Sequence, residues 1–427
     1  MKYFVVFFIF CSSFLFAGDL TLEECLHQAR DYNKKIKAMR AHIGVMEAIK
    51  NEQRSLILPH FDAEGRYEMK NSGRDYSVFT NFGSAFSNKT IGVKGQVLLF
   101  DFFSSWNIFQ ASKLEITVAE KNLEKFLLTV DEEVKTFYFR ILESEKWINV
   151  VEDSINTLKL QLKTAENFYS QGMVSNTDVL SVKVKITEQK KNLLRVKNDK
   201  IEAQITLNRL LGNPLLSSLN LQDLPVGEHL KLSFEKLQQM ALDNRSDLKA
   251  MKAHIASLEL LRKSSRSAYA PKFYLFGGYN YLDNVPPENN PAQKQDRNWI
   301  SGGIGVTIPL YDGGRTQAEG QKVKSQLAEA KAQMEDLENT ILMEVNQIYL
   351  KCQELFENID IDKKTIKLAE ENLKAMTERY NHGLTTMNDL LYSEEQLRQA
   401  RMNKNKTIYQ YHAAYARLIT TLGGCES

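Results

Sequence analysis

The chain has 427 residues, enough for two or three ordinary domains, and its 55 Lys and Arg residues nearly balance its 53 Asp and Glu residues. The resulting net charge of +2 argues against a nucleic-acid-binding protein, which needs a strongly basic face. The seven histidines and four cysteines show no metal-ligand spacing, and no acid, base and nucleophile stand together. The sequence therefore predicts no enzyme, no cofactor and no metal site.

Residues 1–17, MKYFVVFFIFCSSFLFA, predict a secretory signal peptide. Lys2 precedes an apolar run that ends at a small residue, Ala17. The alternative is an N-terminal membrane anchor, but the run is too short to span a bilayer. Of the remaining cysteines, Cys352 falls on an apolar helical seam and fits a small buried hydrophobe. Cys25 and Cys425 lie near the mature termini, and a disulfide between them stays open.

The mature chain opens with a predicted helix over 21–58, where Thr21 and Glu24 form a capping box and Pro59 follows the end. The apolar period then changes from helical to two. It predicts strands over 61–70 and 90–99 on either side of a polar loop.

A very long helix is predicted next, because residues 102–171 contain neither Gly nor Pro. As one helix this stretch would be about 105 Å long. Alternating steps of four and three from Ile116 to Tyr169 fall on apolar residues, interrupted only by Glu120 and Ser144. A seven-residue repeat of this length predicts a left-handed supercoil against neighbouring helices.

The whole layout occurs twice. Tyr169, Gly172, Asp178 and Leu180 of the turn after the long helix recur 211 positions later as Tyr380, Gly383, Asp389 and Leu391, and KAMRAHI at 37–43 returns as KAMKAHI at 249–255. A second short helix is predicted over 233–270 with Ser233 as its cap, followed by strands over 273–282 and 299–308. The predicted parts are the signal peptide 1–17, a first repeat 18–212, an irregular linker 213–232 and a second repeat 233–427.

The four strands, each about ten residues long with one polar and one apolar face, suit a transmembrane barrel. Four strands cannot close such a barrel, and an open edge is not tolerated in lipid, so several chains would have to share it. Eight strands would need a dimer and twelve a trimer. The alternative is a small soluble sheet whose apolar face is covered. In a barrel, the residues expected to line the aqueous lumen are Asp62, Glu64, Arg66, Glu68 and Lys94.

The two repeated turns carry the most information about function. Gly172 and Gly383 can take the left-handed conformation that ends a helix. Ser175 with Asp178, and Thr386 with Asp389, fit capping boxes that begin the next helices. This local role accounts for both aspartates. A functional role would add rings of Asp near the axis of an assembly, able to select cations.

The ordered duplication resembles the TolC-type outer-membrane efflux family. LTLEECLHQA at 20–29, NRSDLKA at 244–250, IPLYDGGR at 308–315 and the two Tyr-x-x-Gly turns carry the resemblance. It implies a mainly α homotrimer, with a trimeric α-barrel extending into the periplasm and a shared twelve-stranded β-barrel in the outer membrane. Such a protein is the passive exit duct of a tripartite efflux pump or a type I secretion system. Its partners would be a periplasmic adaptor and, through the adaptor, an inner-membrane transporter.

The resemblance also implies roles for tip residues. Tyr380, Asp389 and Tyr392 would form the gate, although Thr385 stands where an arginine of the closing network is expected and Tyr392 where a second acid is expected. Closure is therefore expected to depend on the packing of Tyr380. The alternative function is a soluble periplasmic coiled-coil adaptor or scaffold, which leaves the four strands unexplained. The residues expected to dock an adaptor are Tyr169, Gly172, Met173, Asp178, Leu180, Gly383, Leu384 and Leu391.

Overall fold

The computed structural model describes residues 19–71, 85–225, 233–285 and 295–424. The predicted signal peptide, the centres of both polar loops and residues 226–232 of the linker therefore lie outside the described residues. Cys425 also lies outside them, and with it the hypothetical disulfide to Cys25.

The described residues form the same order of elements twice: two short helices, two strands, a long helix and a helix of intermediate length. Both long helices have 67 residues. The first series is α1 Leu22–Tyr32, α2 Lys34–Ser55, β1 His60–Asn71, β2 Ala85–Phe100, α3 Ser104–Ser170 and α4 Asn176–Leu211. The second is α5 Phe234–Asn244, α6 Ser246–Ser267, β3 Lys272–Val285, β4 Gln295–Thr307, α7 Arg315–Asn381 and α8 Met387–Thr421.

Each predicted short helix is in fact two helices, so the predictions of single helices over 21–58 and 233–270 were wrong. The break is one extended residue, Asn33 in the first copy and Arg245 in the second, with ψ of 115° and 124°. At the first break the side-chain oxygen of Asn33 accepts the backbone N–H of Lys35 at 2.9 Å, which caps α2. Thr21 and Glu24 form the predicted capping box, whereas Ser233 precedes α5 without a side-chain capping bond.

The chain divides into two compact units. The first, here called the hairpin unit, comprises the described parts of 1–38, 123–246 and 338–427. Its core follows the predicted heptad seams, with Val134, Ile141 and Val151 buried on α3 and Val345 and Cys352 on α7. The Tyr138 hydroxyl donates to the Gln222 carbonyl at 2.6 Å and lies 3.1 Å from the Leu20 carbonyl, which fastens the linker to this core. The described part of the linker also buries Leu219 and Leu221 in this core, and Asp223 pairs with Lys146 at 2.7 Å and accepts the Tyr409 hydroxyl at 2.9 Å.

The second unit, here called the sheet unit, comprises the described parts of 39–122 and 247–337. Its four strands form one antiparallel sheet in the order β1-β2-β3-β4, so β1 and β4 are the edges. A small apolar cluster around Leu258 and Leu327 packs α6 against α7 within this unit. Among the described residues, none of the helices combines the length and apolar character required to cross a bilayer.

Candidate functional site

The two faces of the sheet differ in chemistry. Asp62, Glu64, Arg66 and Glu68 alternate along β1 and therefore lie on one face, as predicted. Lys94 lies opposite Asp62 in the register, and its ammonium contacts the Glu64 carboxylate at 2.6 Å. The five residues predicted to line a lumen thus share one face, here called the polar face.

The opposite face, here called the apolar face, exposes large apolar side chains from all four strands. Phe61 of β1 is 75% exposed and Ile300 of β4 is 85% exposed. The alternative of a small sheet whose apolar face is covered is therefore wrong for the described residues. Other exposed residues on this face are Tyr67, Ile91, Val93, Leu275, Tyr279, Ile304 and Val306.

The second repeat brings aromatic residues to the polar face, which the sequence analysis missed. Phe276 pairs with Gln96 and Gly303, and Tyr274 pairs with Gly305. The Tyr274 ring lies over Gly305 so closely that a Cβ there would come within 2.2 Å of the ring. A side chain at position 305 would push this ring aside, so Gly305, in the GGIG segment at 302–305, permits the close packing. The polar face is charged on β1 and aromatic on β3.

Both turns after the long helices end in the same way. Gly172 and Gly383 adopt positive φ values of 74° and 71°. In each turn the glycine N–H donates to the tyrosine carbonyl three residues earlier at 2.9 Å, Tyr169 in the first and Tyr380 in the second. The predicted left-handed helix ends are confirmed, and they are the reason for glycine at these positions.

The two aspartates that follow have different local roles. Asp389 completes the predicted capping box: its carboxylate accepts the Thr386 hydroxyl at 2.6 Å and the Thr385 hydroxyl at 3.0 Å. The bonds from Thr386 and Thr385 hold the pKa of Asp389 below its usual range. In the first turn the Ser175 hydroxyl accepts the Thr177 N–H at 3.0 Å, so the predicted box with Asp178 was wrong.

The two turns lead into one apolar core within the hairpin unit, here called the tip core. It joins residues of α3, α4, α7 and α8, including Leu158, Val182, Tyr380 and Leu390. Tyr380 is 4% exposed, and its ring centroid lies 5.9 Å from that of Phe168. Its hydroxyl is buried and has no hydrogen-bond partner among the described residues. Burial, and secondarily the charge of Asp178, raise the pKa of Tyr380.

Most of the predicted docking residues lie on the surface of the tips. Tyr169, Met173 and Leu384 are exposed, and so is the predicted gate residue Tyr392. Leu180 is 52% exposed, but its repeat counterpart Leu391 is 7% exposed and belongs to the tip core. Leu391 therefore contributes packing in the single chain instead of an exposed contact.

A buried polar cluster next to the tip core was not predicted. Glu394 on α8 is buried and accepts a hydrogen bond from the Ser154 hydroxyl of α3. Burial raises the pKa of Glu394. The neighbouring Glu395 pairs with Arg398 on its own helix and with Lys185 of α4 at 3.3 Å. The spacing around SEEQLR at 393–398 was the available signal, because Glu394 lies four residues after Leu390 and three before Leu397, on one apolar face of the helix. No group of three His, Cys, Asp or Glu residues suited to a metal ion occurs in the described ranges.

Comparison with known proteins gives one consistent result. A family model described as outer membrane efflux protein matches residues 25–213 and again 237–424. The outer membrane protein TolC of Salmonella enteritidis is 24% identical over 403 residues, covering 91% of this chain and 79% of the relative. The outer membrane efflux protein BepC of Brucella suis is 20% identical, covering 88% of this chain and 79% of the relative.

Solved structures share the fold. The crystal structure of CusC superposes with a TM-score of 0.84 at 16% identity, covering 95% of this chain and 93% of that one. The CmeC outer membrane channel of Campylobacter jejuni gives a TM-score of 0.83 at 16% identity, covering 94% of this chain and 85% of that one.

A relative found by sequence is named for secretion. The alkaline protease secretion protein AprF of Pseudomonas aeruginosa is 22% identical over 65% of this chain and 60% of its own length.

Proposed function

Since the chain belongs to the outer membrane efflux protein family, we propose that it is an outer-membrane exit channel that passively conducts substrates to the cell exterior. A periplasmic adaptor and an inner-membrane transporter would deliver the substrate and supply the energy. Relatives named for efflux and for protease secretion both match this chain, so the proposal covers both kinds of system.

One observation carries the proposal: the sheet exposes an apolar face on all four strands, and its edge strands β1 and β4 each have one side without a strand partner among the described residues. The apolar face would cost free energy in water, and lipid is the environment that accepts it. The edges β1 and β4 each present unpaired backbone groups, which a membrane does not tolerate. Pairing β4 of one chain with β1 of the next removes both edges, and three chains supply the twelve strands of a closed barrel. The polar face would then line the water-filled lumen.

The tip core is the proposed gate. Tyr380 is buried among residues from both helical hairpins, so moving one hairpin away from the other requires its ring to leave that core. Asp389 is held by Thr385 and Thr386, which fixes its carboxylate at the surface of the tip. Three copies around an axis would form a ring of acids able to attract cations.

The exposed tip residues form the proposed adaptor surface. Met173 and Leu384 occupy matching positions just after the two glycines and are both exposed. Each chain therefore presents two similar apolar knobs, and a trimer presents six. An adaptor that recognises one knob could contact all six in equivalent ways.

The test places one charge on either side of the same strand. Ile300→Lys puts an ammonium on the apolar face near the middle of β4, whereas Ser301→Lys puts it on the polar face one residue later. A Lys facing lipid at the bilayer midplane costs about 2–4 kcal/mol per copy. We expect Ile300→Lys to abolish detergent-resistant trimers in the outer membrane and Ser301→Lys to leave them intact.

The native mass of the detergent-extracted protein and its release by high-salt washing complete the test. The channel is supported if the parent is a trimer that resists the wash, if Ile300→Lys forms no such trimer and if Ser301→Lys still forms one. A water-soluble chain released by salt, with both Lys variants unaffected, would support the adaptor or scaffold instead.

A further inference from the structure

The segment Phe100–Phe103, between β2 and α3, combines exposed aromatic rings with an unusual backbone. Phe102 and Phe103 adopt positive φ values of 54° and 64°, and they are the two non-glycine residues with positive φ in the described chain. The left-handed region is disfavoured for a residue with a Cβ. Phe103 is nevertheless 62% exposed, so burial of its side chain does not account for the conformation.

The second repeat shows that the turn does not require phenylalanine. Gly313 and Gly314 occupy the corresponding positions before α7, with φ values of 71° and 83°. Asp101 and Asp312 cap the following helices in the same manner, each accepting from the residue four positions later. The backbone geometry is shared, and only the first copy carries two large rings on it. The two aromatic rings therefore have a role other than forming the turn.

The sheet directs this segment toward the apolar face. The β2–β3 register pairs Leu98 with Tyr274 and then Phe100 with Phe273, so Leu99 is an extra residue in a β-bulge. Phe273 alternates with Tyr274 and lies on the apolar face, and its partner Phe100 lies on the same face. The Phe100 ring contacts the rings of Phe102 and Phe103, with centroids at 4.9 and 5.6 Å. The aromatic cluster is therefore continuous with the apolar face.

The residues that follow change from aromatic to cationic along the first turns of α3. Trp106, in the first turn of α3, is 46% exposed and packs on Phe109. Lys113 lies about 10 Å further along the helix at 1.5 Å per residue, and its ammonium sits 4.5 Å above the Phe109 ring. Apolar rings, an indole and then a cation match the succession of hydrocarbon, interface and phosphate at a membrane surface.

We infer that Phe100, Phe102, Phe103 and Trp106 form an anchor that inserts into the periplasmic leaflet of the outer membrane, with Lys113 beside the phospholipid phosphates. This inference rests on the proposed function, and it adds how deeply the channel is inserted in the outer membrane. A second copy of the chain is a less suitable occupant, because β2 is an interior strand and neighbouring copies would join at β1 and β4. Phospholipid is the partner because the apolar face leads directly into the cluster.

The test uses the mature full chain in vesicles of phosphatidylethanolamine and phosphatidylglycerol. A photoreactive phenylalanine analogue is placed at Phe103, at Ile300 as the control on the apolar face, and at Leu384 as the control at the helical tip. We expect phospholipid adducts from Phe103 and Ile300 and none from Leu384. Adducts from Ile300 alone, or adducts from Phe103 to a second chain, would overturn the anchor but leave the channel. No lipid adduct at Ile300 would overturn the proposed function and the anchor together.

A second measurement uses Trp106 as a reporter after Trp147 and Trp299 are replaced by Phe. We expect lipids brominated close to the headgroup to quench Trp106 more strongly than those brominated near the chain ends. The double variant Phe102→Gly/Phe103→Gly copies the second repeat and keeps the backbone. It should lower that quenching at least twofold and raise quenching by aqueous iodide. Equal quenching with and without the two rings would contradict the anchor.

Discussion

Replacement of Tyr380 distinguishes closure by packing from closure by hydrogen bonding. Tyr380 is 4% exposed in the tip core, and its hydroxyl has no partner among the described residues. Truncating a buried aromatic ring costs about 3–5 kcal/mol. A buried hydroxyl without a partner costs about 1–3 kcal/mol in lost hydration, so removing it is neutral or stabilising. The structure thus predicts opposite outcomes for Tyr380→Ala and Tyr380→Phe.

The assay is conductance of the purified trimer in planar bilayers, combined with the urea midpoint of the detergent-solubilised protein. We expect Tyr380→Ala to raise the conductance and lower the midpoint, because each 1.4 kcal/mol lost from the closed state changes the equilibrium about tenfold. Tyr380→Phe should match or exceed the parent midpoint and keep the low conductance. Tyr169→Phe, at the exposed counterpart in the first hairpin, controls for loss of a hydroxyl at the surface.

An equally raised conductance in Tyr380→Phe and Tyr380→Ala would refute this reasoning. It would mean that the hydroxyl acquires a partner when chains assemble, and that this bond holds the gate. A low conductance in both variants, with only the midpoint reduced for alanine, would place Tyr380 in the stability of the tip core and outside the gate.

Three further predictions concern the stability of single positions. Gly383→Ala should lower the urea midpoint by an amount equivalent to about 1–2 kcal/mol, because the residue has a φ of 71° although there is open space for a Cβ. The control is Gly44→Ala within α2, which also meets open space and should raise the midpoint. Burial raises the pKa of Glu143 from 4.5 to about 7, so its stabilising contribution is complete below pH 4.5 and is lost as the pH rises through 7; midpoints measured from pH 4.5 to 8 should fall less in Glu143→Gln than in the parent. Tyr138→Phe should cost about 1 kcal/mol, because its hydroxyl donates to the Gln222 carbonyl at 2.6 Å, and an unchanged midpoint would show that water replaces it.

The periodic elements could be predicted from the sequence because periodicity reports directly on burial. The heptad seam that includes Ile141 and Val151 predicted both the helix and its buried face. The alternation around Asp62 predicted the strand and separated its two faces. In both cases many residues repeat one signal, so an interruption such as Ser144 does not change the result.

The breaks in the short helices could not be read from periodicity because a single residue makes each one. Asn33 and Arg245 interrupt the helices without a Gly or a Pro. The cluster DNRSD at 243–247 contains the polar residues that favour a helix end, and it was the available signal. A local side-chain bond, such as that of Asn33 to Lys35, decides the outcome.

At the candidate site, the same sequence motif forms different structures in the two repeats. Ser175 and Thr386 have the same spacing to an aspartate, yet only Thr386 forms the box. Leu180 and Leu391 occupy the same position of the repeat, yet one is exposed and the other is buried. Local spacing determines which bonds are available, whereas the neighbouring helices determine which face is covered. The neighbouring helices differ between the two hairpins, and this difference cannot be predicted from the repeated sequence pattern.

The free edges of the sheet have a consequence for cells that contain two versions of the chain. In the proposed trimer, a closed ring needs three sound junctions, each made by β4 of one subunit and β1 of the next. A subunit that folds but carries a defective β4 edge would still offer a normal β1 edge, and would enter rings that it cannot close. With equal amounts of normal and defective subunits mixing at random, only about one ring in eight would be wholly normal. Such a subunit would therefore be dominant over the normal one.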